Sequence, residues 1–317
     1  MSDLVGCVGL LVADTFCGPM DRLPNEGELV MTDGFVTKLG GNAANVGLDL
    51  AIQGISVDVV GMVGDDDGAK IIIDGLSAAG VGTDQISKSD TSCTSQTSIL
   101  LVRGEDRRYC HNFGANAELT TDSIDLAWLK TLTVFYLGGL FAMPGLQTEG
   151  LLTILKEAKE AGVITMVDVV LPETHKGYEG LDKLLPYIDI FTPNDDEAEL
   201  ITGLSDPVEQ AKALHAYGAN KVIITLGGNG ALAYDGETIW RSGIFKMDAI
   251  DMSGCGDAFV SGIIAAQVKN LGMADMLSYA SAIGASATRK IGCSDGIFTS
   301  SEVEDFLKTE SITMSTD

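Results

Sequence analysis

The chain has 317 residues, enough for one large α/β domain or two small ones, and its 45% hydrophobic content with 38 Gly and 7 Pro describes a core-rich globular protein. Its 45 acidic against 20 basic residues leave a formal net charge of −25, a balance that repels nucleic acid and anionic lipid and excludes both as partners. A phosphorylated ligand would need local help from backbone N–H groups, Mg²⁺ or a few placed Lys and Arg.

Cys7, Cys17, Cys93, Cys110, Cys255 and Cys293 are scattered, with no C-x-x-C pair. That speaks against structural zinc or a disulfide framework and for reduced thiols in a cytoplasm. His111, His175 and His215 share no ligand spacing, so a histidine metal site is not expected.

In chain order, residues 4–13 are apolar enough to suggest a signal peptide. However, Asp3 precedes them, no Lys or Arg does, and no cleavage-like segment follows. They read as a buried first strand ending at Asp14, and nothing later approaches the ~18 apolar residues of a membrane span. Residues 15–28 are loop-like, with Pro19, Pro24 and Gly27, and residues 29–38 read as a strand or short hairpin around Asp33-Gly34. Gly40-Gly41 breaks that run, and residues 42–53 take up helical spacing through Ala43, Val46 and Leu50. Residues 57–63 predict a buried strand. Asp65-Asp66-Asp67-Gly68 then caps a helix over 70–79; it is no calcium loop, because Leu76 stands where the bidentate Glu would be needed.

Residues 98–102, the turn Gly104-Glu105-Asp106 and residues 107–112 carry a β-hairpin signal with no helix between the strands. With residues 29–38 they predict a small antiparallel unit inserted into a larger fold. From residue 132 strands and helices alternate. The predicted strands are 132–137, 163–169, 189–192 and 221–225; the predicted helices are 147–161, 195–201, 207–217 and 255–270. Alternation implies right-handed βαβ units and a parallel sheet with helices on both faces. Ligands of such a sheet bind at the carboxyl ends of its strands, where Asp14, Asn194, Gly227 and the loop 251–257 fall. No repeat or linker divides the chain, and the polar tail 308–317 is expected to fray.

The loop 251–257 opens the last of these helices. Ser253, Gly254 and Gly256 leave backbone N–H groups converging on one spot at the positive end of a helix dipole. Such a cradle suits a phosphate or a developing oxyanion. Asp257, in the first turn, reads either as a helix cap or as a general base held beside the cradle.

Two common phosphate chemistries lack their motifs: there is no G-x-x-x-x-G-K-[ST] and no G-x-G-x-x-G. Asp251-Met-Ser-Gly-Cys-Gly-Asp257-Ala-Phe259 resembles the C-terminal signature, usually D-T-x-G-A-G-D, of the PfkB (ribokinase-like) family of carbohydrate kinases. Gly40-Gly41-Asn42-Ala-Ala-Asn45 is similar to that family's di-glycine signature. Asn194-Asp-Asp-Glu197 resembles its N-x-x-E motif, and Thr225-Leu-Gly227-Gly-Asn-Gly230 its T-x-G-x-x-G nucleotide turn. Four motifs in the family's order span nearly the whole chain, which makes the set specific although each alone is weak.

The resemblance implies a single ribokinase-like α/β domain over 1–317, in three layers. Its central sheet would be mostly parallel with helices on both faces, and a small antiparallel β lid would come from segments about 15–38 and 96–113. It also implies roles. Asp257 would take the proton of an acceptor hydroxyl attacking the γ-phosphorus of ATP, with Gly254, Cys255 and Gly256 supplying N–H groups to the transferring phosphoryl. Asn194 and Glu197 would hold Mg²⁺ near the phosphates through water, the alternative being a helix-start pairing. Thr225, Gly227 and Gly230 would let the backbone approach the nucleotide, the alternative being a plain hairpin turn. Asp251 would help hold a monovalent cation such as K⁺. Asp14, Gly41, Asn42 and Asn45 would bind the sugar, under a lid that excludes water.

Two departures from the pattern matter. Cys255 stands where Ala is usual, adding a candidate oxidation-sensitive thiol, and Met252 replaces the usual Thr, which weakens the case for cation dependence. Asn42 and the acidic surface favour an uncharged acceptor, with Lys38, Arg107 and Arg108 the residues that could reach a phosphate. The expectation is a cytoplasmic, homodimeric, ATP-dependent kinase of a neutral sugar or related polyol. The alternatives are a nucleoside kinase of the same family and a non-catalytic sugar- or nucleotide-binding protein.

Overall fold

The computed structural model describes residues 3–105, 107–171 and 180–317; Asp106 of the predicted turn and His175 lie outside them. The strands are β1 (Leu4–Gly9), β2 (Val12–Met20), β3 (Phe35–Gly40), β4 (Ser56–Val63), β5 (Ile86–Lys88), β6 (Ser95–Val102) and β7 (Arg108–Asn112), then β8 (Val134–Leu140), β9 (Ile164–Val169), β10 (Ile190–Phe191), β11 (Lys221–Thr225), β12 (Ala231–Tyr234), β13 (Ile239–Ser242) and β14 (Met314–Thr316). The helices are α1 (Asn42–Ile52), α2 (Asp67–Ala78), α3 (Leu126–Leu129), α4 (Thr148–Glu160) and α5 (Leu181–Leu184), then α6 (Asp195–Thr202), α7 (Pro207–Ala216), α8 (Cys255–Val268), α9 (Met273–Ala287) and α10 (Ser300–Thr309).

Ten strands form one sheet in the order β14-β13-β12-β11-β10-β9-β8-β1-β4-β5. The seven from β5 to β11 pair in parallel, and the three beyond β11 are antiparallel. Strand residues alternate between two cores: in β11, Ile223 faces one and Val222 and Ile224 the other. Helices α1, α2, α8 and α9 cover the first face, while α4, α5 and α7 cover the second. The reason is visible in α4, whose Leu151, Ile154, Leu155 and Ala158 make one apolar stripe. Helices α8 and α9 are apolar nearly all round because they pack on the sheet, on α1 and on each other. No helix among the described residues is long and apolar enough to cross a membrane.

A second sheet, β3-β2-β6-β7, stands apart as the lid. The unit is not the wholly antiparallel one expected: β2 and β6 run parallel. The first apolar run is two strands rather than one. The chain leaves the large sheet after Gly9 and enters the lid at Val12, so Asp14 lies within β2 and not at the end of a buried strand. Residues 15–20 of the predicted loop are therefore strand, while 21–28 are loop as expected and 29–34 are not the expected strand. The tail expected to fray instead pairs through β14 with β13, which satisfies its backbone groups.

Candidate active site

The loop 251–254 is fixed by its own polar groups before α8 begins. Asp251 accepts from the Ser253 N–H at 2.9 Å through one carboxylate oxygen and from the Gly292 N–H at 3.0 Å through the other. Gly254 has φ +75°, and a Cβ there would sit 2.6 Å from that of Cys293, so glycine alone fits. No side chain caps α8, which leaves its first-turn N–H groups facing outward.

Asp257 is not a cap. Its Oδ1 accepts from Asn42 Nδ2 at 2.8 Å and its Oδ2 from Asn45 Nδ2 at 2.7 Å, both amides lying on the first turns of α1. That helix starts against the loop 251–257 because Gly41, at φ +92°, passes where a Cβ would lie 2.4 Å from the Leu10 carbonyl. Burial raises the Asp257 carboxyl, and the two amides oppose that rise.

The loop separates two cavities. One, of about 430 Å³, is lined by Asp14, Gly41, Asn42, Asn45, Gly254 and Asp257. The other, of about 220 Å³, is lined by Thr225, Gly227, Gly230, Met252, Cys255 and Gly256. Thr225 to Gly230 form the turn between antiparallel β11 and β12, so the hairpin reading holds and the turn also lines a cavity. Asp14 is buried; burial, with the Asp257 charge, pushes its carboxyl up to about 6 against the opposing Thr97 hydroxyl.

Asn194 and Glu197 form a capping box: Asn194 Oδ1 accepts from the Glu197 N–H at 2.8 Å, and Glu197 Oε2 accepts from the Asn194 N–H at 2.9 Å. The pairing expected as the alternative is therefore present, and neither residue lines the two cavities. Asn194 does bridge to Thr225. Burial pushes the Glu197 carboxyl up to about 7, the Asn194 N–H opposes, and the charges of Asp196 and Asp257 add to the rise. Among the described residues no cluster of three or more His, Cys, Asp or Glu could hold a metal directly.

Two of the three cations considered for a phosphate are engaged in ion pairs: Lys38 with Asp295 at 2.8 Å, while also donating to the Ile291 carbonyl at 2.7 Å, and Arg108 with Glu105. Arg107 lies over the Tyr109 ring and donates to the Met252 carbonyl of the loop 251–257 at 3.4 Å. Burial pushes the Cys255 thiol up to about 11 despite Arg107, so the oxidation-sensitive thiol expected there is held protonated.

Several site residues had no motif to announce them. Buried Asp168 accepts from Tyr136 Oη at 2.6 Å and from the Gly139 N–H. Cys293 lines the larger cavity, its thiol raised by burial and by the charges of Asp14, Asp257, Asp49 and Asp251. Thr97, Tyr109, His111 and Phe113 line it too; the every-second-residue spacing of the last three was the available signal.

A sequence profile described as "pfkB family carbohydrate kinase" matches residues 2–299. The chain is 26% identical over 308 residues to "Probable fructokinase-4" of Arabidopsis thaliana, covering 91% of this chain and 94% of that one. It is 27% identical over 269 residues to the "ATP-dependent 6-phosphofructokinase" of Thermoanaerobacterium thermosaccharolyticum, covering 82% of each. Among solved structures, Arabidopsis thaliana ribokinase complexed with ribose and ATP superposes with a TM-score of 0.84 at 24% identity, over 98% of this chain and 100% of that one.

Proposed function

The chain belongs to the pfkB family of carbohydrate kinases and is an ATP-dependent sugar kinase, and we propose that its acceptor is a neutral sugar or related polyol. The observation that carries this reading is the place of Asp257, in the wall of the larger cavity, directly after the Cys255-Gly256 pair that lines the smaller, and held by two amides. The larger cavity takes the acceptor and the smaller the nucleotide. Asp257 accepts the proton of the attacking hydroxyl while the new O–P bond forms and the bond to the leaving ADP breaks. The N–H groups of Gly254, Cys255 and Gly256 stabilise the transferring phosphoryl. Asp14, Gly41, Asn42 and Asn45 bind the acceptor, and Thr225, Gly227 and Gly230 the nucleotide. A neutral acceptor is supported by the lining of the larger cavity, which includes Asp14 and Asp257 and, among the described residues, no Lys or Arg.

Mg²⁺ fits the donor set. Asp168, Glu197 and Asp257 are mutually repelling carboxyls, each raised by burial, and a cation would relieve them. Glu197 with Asn194 would hold it through water, and the ion supplies neutralisation of phosphate charge when ATP is bound. K⁺ is the monovalent cation proposed at Asp251, beside which the buried Ser253 Oγ has no partner.

A nucleoside acceptor is the second reading, favoured by Ile99, Tyr109 and Phe113 in the cavity wall. A homodimer is supported by Leu29, Met31 and Phe35 on the lid unit, each at least 71% exposed. An ADP-release screen over sugars, sugar phosphates and nucleosides tests the acceptor. Turnover of sugar phosphates alone would overturn it. Sedimentation of Phe35→Ser tests the dimer, which that change should weaken; a wild-type monomer would overturn it.

A further inference from the structure

Three residues from three lid strands stand side by side. Asp14 of β2 is in register with Thr97 of β6, and Thr97 with His111 of β7. Cross-strand neighbours share a face, and all three line the larger cavity. Asp14 and Thr97 are buried while His111 is exposed, so the row runs from the cavity floor beside Asp257 to its mouth. With strands about 4.8 Å apart, the row is roughly 10 Å long. That length matches two or more polar groups of one acceptor. Ile99 and Tyr109, themselves in register, supply the apolar row on one side, and Phe113 meets the imidazole edge-on at 4.5 Å on the other.

Resting on the acceptor reading of this cavity, we infer that His111 determines specificity by accepting a hydrogen bond from a second, unreacting hydroxyl, and that Thr97 sets the tautomer that makes it an acceptor. The argument is a count of protons. Thr97 Oγ1 lies 3.0 Å from His111 Nδ1, and its hydroxyl also serves Asp14. An ionised carboxylate can only accept, so the single hydroxyl proton of Thr97 goes to Asp14. The Thr97 oxygen is then left to accept, and only Nδ1–H can donate to it. The neutral imidazole therefore carries its proton on Nδ1 and leaves Nε2 with a lone pair. The cavity wall removes part of the imidazole's hydration although the residue is exposed, which lowers the His111 pKa and favours the same neutral form. A lone pair welcomes a hydroxyl proton and repels a phosphate dianion, whose oxygens only accept. The row thus selects an acceptor that ends in a free hydroxyl over one already phosphorylated at that end.

The test is steady-state kinetics on wild type, His111→Ala, Thr97→Val, His111→Lys and Asp257→Asn. Acceptors are D-fructose, D-ribose, D-fructose 6-phosphate, nucleosides, and monodeoxy analogues of the best neutral acceptor. His111→Ala should raise acceptor KM at least tenfold with kcat within about threefold and ATP KM unmoved. Thr97→Val should move acceptor KM the same way. One deoxy analogue should be bound equally by wild type and His111→Ala. His111→Lys, which replaces the lone pair by a cation, should shift preference towards D-fructose 6-phosphate. If turnover abolished by Asp257→Asn is accompanied by unchanged acceptor KM in His111→Ala and Thr97→Val, this inference falls and the site reading stands. If wild type prefers D-fructose 6-phosphate, the inference falls as well. No wild-type turnover with any acceptor brings down the site reading itself.

Discussion

Asn45 donates to Asp257 at 2.7 Å across 212 residues of sequence, while its own Oδ1 is buried without a partner. With Asn42 on the other oxygen, this fixes the carboxylate against two surfaces at once: the start of α1 and the start of α8. An amide can donate to a carboxylate whatever the pH, so the base is aimed before an acceptor arrives.

Asp257→Asn should lower kcat by roughly 10²–10⁴ with ATP affinity little changed, as loss of a general base does. The side chain keeps its shape, so the comparison isolates proton transfer. Rapid ADP release by the variant would remove Asp257 from the chemistry.

Asn45→Ala should move the acid limb of the kcat profile to higher pH. The amide favours the charged form and opposes the effect of burial, so its loss leaves the carboxyl protonated over more of the range. Relative activity of the variant should therefore be worse near pH 6 than near pH 8.5. A profile parallel to wild type would show that Asn45 contributes packing alone.

Asp14→Ala should weaken acceptor binding by about 2–3 kcal/mol, the range for a hydrogen bond to a charged group. That is roughly 30- to 150-fold in kcat/KM for the acceptor, with ATP binding in its absence unaffected. Calorimetry with each ligand separately decides it, and damage confined to ATP would mean the two cavities are assigned in reverse.

Glu197→Gln keeps an oxygen that can accept from the Asn194 N–H, so Tm should move by less than about 3 °C. The Mg²⁺ concentration for half-maximal activity should rise several-fold. An unchanged metal titration would reduce Glu197 to its capping role.

Stability should fall as pH rises from about 4 to 7. Asp14 and Glu197 stand at about 6 and about 7 folded, against ordinary values of 3.8 and 4.5. Over that window the folded state binds more protons than the unfolded one, which gives a negative slope of stability with pH. Glu28, depressed to about 2 beside Arg22, acts oppositely but at lower pH and in solvent. Asp49, fully buried and raised by that burial and by the Asp257 charge against the opposing Ser294 hydroxyl, adds to the negative slope. Asp49→Asn should flatten the dependence of Tm on pH, and a steeper curve would contradict this.

Elements with strong local patterns were legible in the sequence: α1, α4, α7, α8 and β11 lie within a few residues of expectation. The cradle and its aspartate were legible because glycines and a carboxylate opening an apolar helix are a local signal. What could not be read is set by contacts distant along the chain. Residues 4–13 are apolar throughout because their two strands are buried in different sheets, and no polar residue marks the crossing at Leu10-Leu11. Likewise β12, β13 and β14 are short, and their pairing depends on partners up to about 80 residues away, beyond any periodicity. Thr97 and His111 join the site only through strand register.

The distribution of thiols has a practical consequence. Cys7 and Cys293 are buried, and Cys17 and Cys255 are partly covered, whereas Cys93 and Cys110 are exposed, the latter on strand β7. A maleimide dye applied briefly should therefore label Cys93, just before β6, and Cys110 on β7, and spare the walls of both cavities. In a Cys93→Ser variant, dye at Cys110 then becomes a fluorescence reporter of the lid sheet's surroundings.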